Sequence, residues 1–277
     1  MSSKSAGSYG KPMATEPSPT FVGSTVSSPH NSPKDMKAVL FDLYETLVTE
    51  YNPDRRREQR GARLGLAEDY FDREWGARHD QRMRGEFPDY HSVVRDICEA
   101  AKVKPNERVI EELYQERLAE KSFGFRQLDA GVVNMITQLR ELGYLVTVVS
   151  NTTRDEVDSW TSCQLGKLID DPIFSFEVGS MKPEPAIYLE ALRRLGCVAS
   201  EAVFVGDGSS SELAGARRVG LQPIWATWFL ERWPSWRMSE VEPAAATCKR
   251  CREPSDLVRF IQEIDYIEGE DSKDDKA

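Results

Sequence analysis

Short apolar runs of strand length alternate with helically periodic stretches along most of the chain. Ala38–Phe41, Leu145–Val149, Ala202–Val205 and Pro223–Ala226 are four such runs, each bounded by polar or glycine residues, and Phe174–Val178 offers a fifth. Between them, helical patterns cover Val132–Leu142, Pro185–Leu195 and Glu212–Val219, and stop at Gly143, Gly196 and Gly220 respectively. Glycine just past a helix is a stop signal because it takes the left-handed conformation at little cost. Strand and helix in alternation predict an α/β fold, a Rossmann-like doubly wound parallel sheet that receives ligands at the carboxyl ends of its strands.

Residues 52–125 break this rhythm. They are rich in Arg, Glu and Ala with helical periodicity and no strand, and Pro53, Gly85–Pro88 and Lys104–Asn106 divide them into about four helices, which predicts an inserted α-helical cap domain. On this reading the core comprises residues 35–51 and 126–266. Residues 1–34, dominated by Ser, Gly, Pro and Thr, form a disordered N-terminal tail, and residues 267–277 an acidic one. Within the insert, Trp75, Arg78, His79 and Arg82 have the spacing of one helix face.

Composition narrows the function classes. A chain of 277 residues, 40% hydrophobic, can bury a substantial core, and its longest apolar runs are too short to cross a bilayer. The net charge of -10 argues against a nucleic-acid partner, which needs clustered Lys and Arg, but leaves room for a small anion in one locally positive pocket. Five cysteines form an odd set without disulfide spacing, and no signal peptide is evident, so a cytoplasmic location is expected. Cys248 and Cys251 lack the further ligands that would complete a zinc site, and read as two incidental thiols.

The strand exits carry the candidate chemistry. Phe41-Asp42-Leu43-Tyr44-Glu45-Thr46 places a carboxylate where the first strand stops, a position that on its own suits a turn or helix cap equally well. Val149-Ser150-Asn151-Thr152 offers a hydroxyl and backbone amides at the same sheet edge, the kind of groups that bind phosphoryl oxygens. Lys182, in Gly179-Ser180-Met181-Lys182-Pro183, can offset charge on an attacking carboxylate and a transferred group. Val205-Gly206-Asp207-Gly208 and the following Ser209-Ser210-Ser211-Glu212 put two acids across a glycine-containing loop; with Asp42 they suit Mg²⁺, which prefers hard oxygen ligands. Glu212 also suits the positive end of its own helix.

These four elements, in this order, resemble the four motifs of the haloacid dehalogenase superfamily. Ala214-Gly215-Ala216 and Gly220 match the usual continuation of the fourth, and the insert between the first and second resembles that family's helical cap. The resemblance implies that Asp42 attacks phosphorus to form an aspartyl phosphate. It also implies that Ser150 and Lys182 hold the transferred group, with Asn151 and Thr152 beside them, and that Asp207 anchors Mg²⁺, to which Tyr44 contributes its backbone carbonyl.

Tyr44 departs from the phosphatase pattern, which has an aspartate there to protonate the leaving group and activate water. A phenol can donate a proton but is a poor base at neutral pH. Glu45 is the nearest other acid. Tyrosine at this position resembles the 2-haloacid dehalogenases, which need no leaving-group acid; in that alternative, Arg73, Arg78 and Arg82 of the insert could hold a substrate carboxylate, although arginines on a charged helix face are ordinarily solvated. Asp207 speaks against it, because those dehalogenases lack the metal. A Mg²⁺-dependent phosphatase acting on a small phosphorylated molecule is therefore the leading expectation. The other alternative is a catalytically impaired member that only binds a phosphorylated ligand.

Overall fold

The structure, a computed structural model, describes residues 36–52, 59–169, 171–234 and 243–270. The chain starts with β1 (Ala38–Phe41) and passes into five helices, α1 (Arg60–Arg63), α2 (Glu68–Ala77), α3 (His79–Met83), α4 (Tyr90–Ala100) and α5 (Glu107–Arg126). It then runs through α6 (Ala130–Glu141), β2 (Leu145–Ser150), α7 (Gln164–Leu168), β3 (Ile173–Phe174), α8 (Ser175–Val178) and α9 (Pro185–Leu195). The last elements are β4 (Ala202–Gly206), α10 (Glu212–Arg218), β5 (Gln222–Ala226), β6 (Lys249–Cys251) and α11 (Pro254–Glu270).

The six strands form one sheet in the order β3-β2-β1-β4-β5-β6. Every pair is parallel. The apolar runs lack alternation because both faces are covered. Val39, Phe41, Val146 and Val203 pack on one side with Met135 and Leu139 of α6 and Leu257 and Ile261 of α11. Ala38, Leu40, Val149 and Phe204 pack on the other with Ile187 and Tyr188 of α9 and Leu213 and Ala216 of α10. The helices α1–α5 have a separate apolar cluster, built on Phe71, Tyr90, Val94, Ile97, Ile110 and Leu113.

The expected glycine stops hold: Gly143, Gly196 and Gly220 all have positive φ just beyond their helices. The fifth expected strand is corrected. Only Ile173–Phe174 is extended, and Ser175–Val178 turns into α8. The Ser175 hydroxyl accepts from Thr152 N (2.9 Å) and donates to Thr152 O (3.1 Å), serving the end of β2 where a longer β3 would have continued the ladder. The edge strand β6 was not foreseen, since Lys249–Cys251 has no apolar pattern. The insert holds five helices rather than about four, and α5 runs one residue past the expected boundary. Helix α11 continues to Glu270, into the stretch expected to be an acidic tail. Pro53 and the whole of the expected N-terminal tail, residues 1–34, lie outside the described residues.

Candidate functional site

Strand β1 lies between β2 and β4, the point at which successive connections run in opposite directions and a crevice opens at the carboxyl edge. Asp42 follows β1 directly, and its N–H extends the ladder by donating to Val205 O at 2.8 Å. Ser150 closes β2, two residues past the Phe41–Val148 pair, and Asp207 follows β4. Lys182 precedes α9, and Glu212 opens α10.

These side chains form one buried polar group. Lys182 Nζ donates to Asp42 Oδ1 and, at 2.6 Å, to Glu212 Oε2. Asp42, Asp207 and Glu212 present carboxylate oxygens within 4.8 Å of one another. Glu212 is fully buried, and its other oxygen accepts from Gly208 N at 3.1 Å. Gly206 makes this possible: a Cβ there would lie 2.1 Å from Glu212 Oε1, so any larger residue would push the carboxylate out. The following loop holds Ser210 and Ser211 at φ 52° and 53°, left-handed conformations that cost non-glycine residues about 1–3 kcal/mol each.

Three carboxylates against one ammonium leave an excess of acidic groups in a buried site. Burial raises the Asp42 and Glu212 pKa values, and mutual repulsion with Asp207 adds to the rise despite Lys182. Burial works to lower the Lys182 pKa, but Asp42 and Glu212 outweigh it and hold the ammonium charged. The donor set fits a hard divalent cation. Asp207 Oδ1 accepts from Ser209 N at 2.9 Å, and the Ser150 hydroxyl is buried without a hydrogen-bond partner among the described residues. An oxyanion bound beside such a cation would accept a hydrogen bond from that hydroxyl.

The remaining sequence candidates sit elsewhere or serve the site indirectly. Asn151 grips the Lys182 backbone, accepting from its N–H at 2.6 Å and donating to its carbonyl at 2.8 Å. Thr152 is fully buried, with its hydroxyl on Glu156 Oε2 at 3.2 Å. The Tyr44 hydroxyl donates to Glu156 O at 2.8 Å, and burial lifts its pKa well above the usual phenol value. Glu45 is turned away from acid–base work, because its carboxylate accepts from Trp233 Nε1, Thr49 Oγ1 and Glu50 N. Arg78 is tied to Glu74 and Asp96, and the helix breaks at this residue, so the expected single face splits. Arg82 alone of that set stacks on Trp75.

A second buried charge group escaped sequence reasoning. Arg117 of α5 pairs with Asp155 and Glu156, just beyond β2, and Lys121 pairs with Glu50 and Glu156. Arg117 and Lys121 are spaced i, i+4 on α5, a pattern that an exposed helix face displays equally well.

A sequence profile of the haloacid dehalogenase-like hydrolases matches residues 36–220, and the chain belongs to that family. Among proteins with assigned functions, it is 31% identical over 106 residues to a glyceraldehyde 3-phosphate phosphatase of Methanopyrus kandleri. That alignment covers 38% of this chain and 46% of the relative, so the match spans about half of that protein's length. Among solved structures, a 2-haloacid dehalogenase from Pseudomonas syringae pv. Tomato DC3000 superposes with a TM-score of 0.58 at 22% identity, covering 82% of this chain and 99% of that one. A phosphatase of the superfamily from Thermococcus onnurineus gives 0.53 at 23% identity, covering 82% and 98%. At these identities both structures speak to the fold.

Proposed function

We propose that this chain is a Mg²⁺-dependent phosphatase that hydrolyses a small phosphorylated molecule through Asp42. The observation that carries the reading is the buried group of Asp42, Asp207 and Glu212 around Lys182, whose excess negative charge suits a divalent cation. Displacement of halide from carbon has no use for Asp207, whereas phosphoryl transfer does. The phosphatase among the relatives supports the same choice.

In this mechanism an Asp42 oxygen attacks phosphorus and the bond to the ester oxygen breaks, leaving an aspartyl phosphate and an alcohol that takes up a proton. Water then attacks the same phosphorus, the bond to Asp42 breaks, and inorganic phosphate leaves as the carboxylate is restored. Lys182 and Ser150 hold the phosphoryl oxygens, and Asn151 fixes the Lys182 backbone. Asp42, Asp207 and the Tyr44 carbonyl hold Mg²⁺, with Glu212 anchoring Lys182 behind them. Mg²⁺ supplies charge neutralisation of the attacking carboxylate and the transferred group. The helices of residues 59–125 act as a cap over the crevice.

The reading is tested with 4-nitrophenyl phosphate in Mg²⁺ and in chelator, beside halide release from 2-chloropropionate. Nitrophenol release that chelator stops, together with phosphate on Asp42 after acid quench, is the expected result. Metal-independent halide release would install the dehalogenase instead.

Tyr44 makes a sharper prediction. Its hydroxyl is committed to Glu156 O and its pKa is raised, so no strong acid meets the leaving group. General acid–base help is worth about 10²- to 10⁴-fold. We expect aryl phosphates to outpace simple alkyl phosphates by at least ~100-fold in kcat/KM, with a product burst as aspartyl phosphate accumulates. A leaving-group series with a flat profile and no burst would assign the proton transfers to another residue.

A further inference from the structure

Glu156 stands in the loop that leaves β2 after Ser150, and it is only 8% exposed. Its Oε1 accepts from Arg117 Nη2 at 2.9 Å and lies 3.1 Å from Lys121 Nζ, both on α5 of the insert. Its Oε2 accepts from Thr153 N at 3.0 Å and from the Thr152 hydroxyl at 3.2 Å, within its own loop. Its backbone carbonyl accepts from the Tyr44 hydroxyl at 2.8 Å. One residue thus joins the insert, the exit of β2 and the exit of β1.

The side chain and the carbonyl act together. Residues 154–156 form a turn of 3₁₀ helix with Thr153 as its N-cap, and the bond from Thr153 N to the Glu156 carboxylate closes that turn. The turn in turn aims the Glu156 carbonyl, and with it Tyr44. Helix α5 bears on the same tyrosine: Phe125 meets its ring edge-on with 6.5 Å between centroids, and Lys121 Nζ lies 5.2 Å from the ring centre. On the other flank of the β1 exit, Trp228 Nε1 donates to Thr46 O at 2.8 Å. Asp42 and the Tyr44 carbonyl belong to the short loop so clamped, and a displacement of about 1 Å there can cost roughly 10²-fold in rate. Asp155 supplies the contrast. It shares the ion pair with Arg117 but, among the described residues, makes none of the bonds to Thr152, Thr153 or Tyr44.

Resting on the phosphatase reading, we propose that Glu156 is a positioning residue, through which α5 of the insert holds the Tyr44 carbonyl and the Asp42 loop in register with the Ser150 loop.

The test measures Mg²⁺ affinity by calorimetry, and kcat with 4-nitrophenyl phosphate, in Glu156→Gln, Tyr44→Phe, their double variant and Asp155→Asn. Glutamine offers one acceptor oxygen where glutamate offers two, so either the α5 cations or the Thr152–Thr153 pair is left facing an NH₂. 4-Nitrophenolate leaves without a proton, so a slower Tyr44→Phe reports misplacement and not a missing acid. Each of these two variants is expected to weaken Mg²⁺ binding at least ~10-fold and to lower kcat at least ~10-fold. The double variant should fall no more than about threefold below the worse single, because both break one link. Asp155→Asn should lower Tm yet keep kcat and Mg²⁺ affinity within about threefold of the wild type. Losses that multiply in the double variant, or Asp155→Asn losses equal to those of Glu156→Gln, reduce Glu156 to a residue of the fold and overturn the proposal. If Glu156→Gln does not fold, Tyr44→Phe decides: wild-type kcat and Mg²⁺ affinity overturn the proposal, and loss of both sustains it. If the wild type turns over no ester, the phosphatase reading falls by itself and the Mg²⁺ affinities decide on the same terms; a wild type that also binds no Mg²⁺ overturns both.

Discussion

Asp42→Asn is expected to reduce turnover by about 10⁴-fold or more while leaving the fold in place, since the amide fits the same space but does not attack phosphorus. The substitution also removes one of three carboxylates crowded into a buried site, so the metal-free variant should be at least as stable as the wild type. Mg²⁺ should raise the Tm of the wild type, because it binds the folded site and not the unfolded chain, and raise that of the variant less. Thermal unfolding with and without the metal, beside the rate measurement, separates loss of the nucleophile from loss of structure. Near-normal turnover in the variant would remove Asp42 from the mechanism.

The second large effect is on stability. Arg117→Met should destabilise the fold by about 3–5 kcal/mol at neutral pH, because Asp155 and Glu156 would keep their burial while both lose the Arg117 guanidinium, leaving Lys121 to Glu156 alone. Burial alone would raise the Glu156 pKa, but Lys121 and Arg117 outweigh it and hold this carboxyl far below the ordinary range. A carboxyl depressed in the folded state stabilises fully above its unfolded pKa, near 4.5, and that contribution fades as pH falls further. Wild-type stability from this source should therefore be level between about pH 5 and 7 and decline below. In Arg117→Met the deficit should be largest at pH 7 and shrink towards pH 4, where Glu156, held down by Lys121 alone, takes up a proton more readily. Urea unfolding across that range measures it; a deficit independent of pH would make Arg117 a packing residue.

The parallel sheet and the principal cluster were legible in the sequence because each depends on local chemistry. Apolar runs buried on both faces need no partner information to stand out, and an acid or lysine directly after such a run is placed at the crevice by the topology itself. Helix stops at Gly143, Gly196 and Gly220 were likewise local, since each position needs a positive φ. What escaped depends on distant contacts. Nothing near Tyr44 announces that its hydroxyl is held by the Glu156 carbonyl, 112 residues away. Asn151 looks like a substrate ligand until its amide is found on the Lys182 backbone. Glu45 looks like a spare acid until Trp233 reaches it from the far end of the chain. Arg82 and Arg78 were indistinguishable on the helical pattern, and only burial separates the stacked, unpaired guanidinium from the ion-paired one.

The placement of β1 has a consequence for how the protein is made. This strand is made before every other described strand, yet its neighbours are Leu145–Val148 on one side and Ala202–Val205 on the other. At about 5–20 residues per second, synthesis delivers the first neighbour roughly 5–20 seconds later and the second later still. Four apolar residues destined for complete burial must wait through that interval, while the helices between them close on their own nearby contacts. The nascent chain thus carries Asp42 beside an unpaired, aggregation-prone edge until β4 emerges, and a ribosome stalled before Ala202 would hold a formed helical insert beside an incomplete group of Asp42, Asp207 and Glu212.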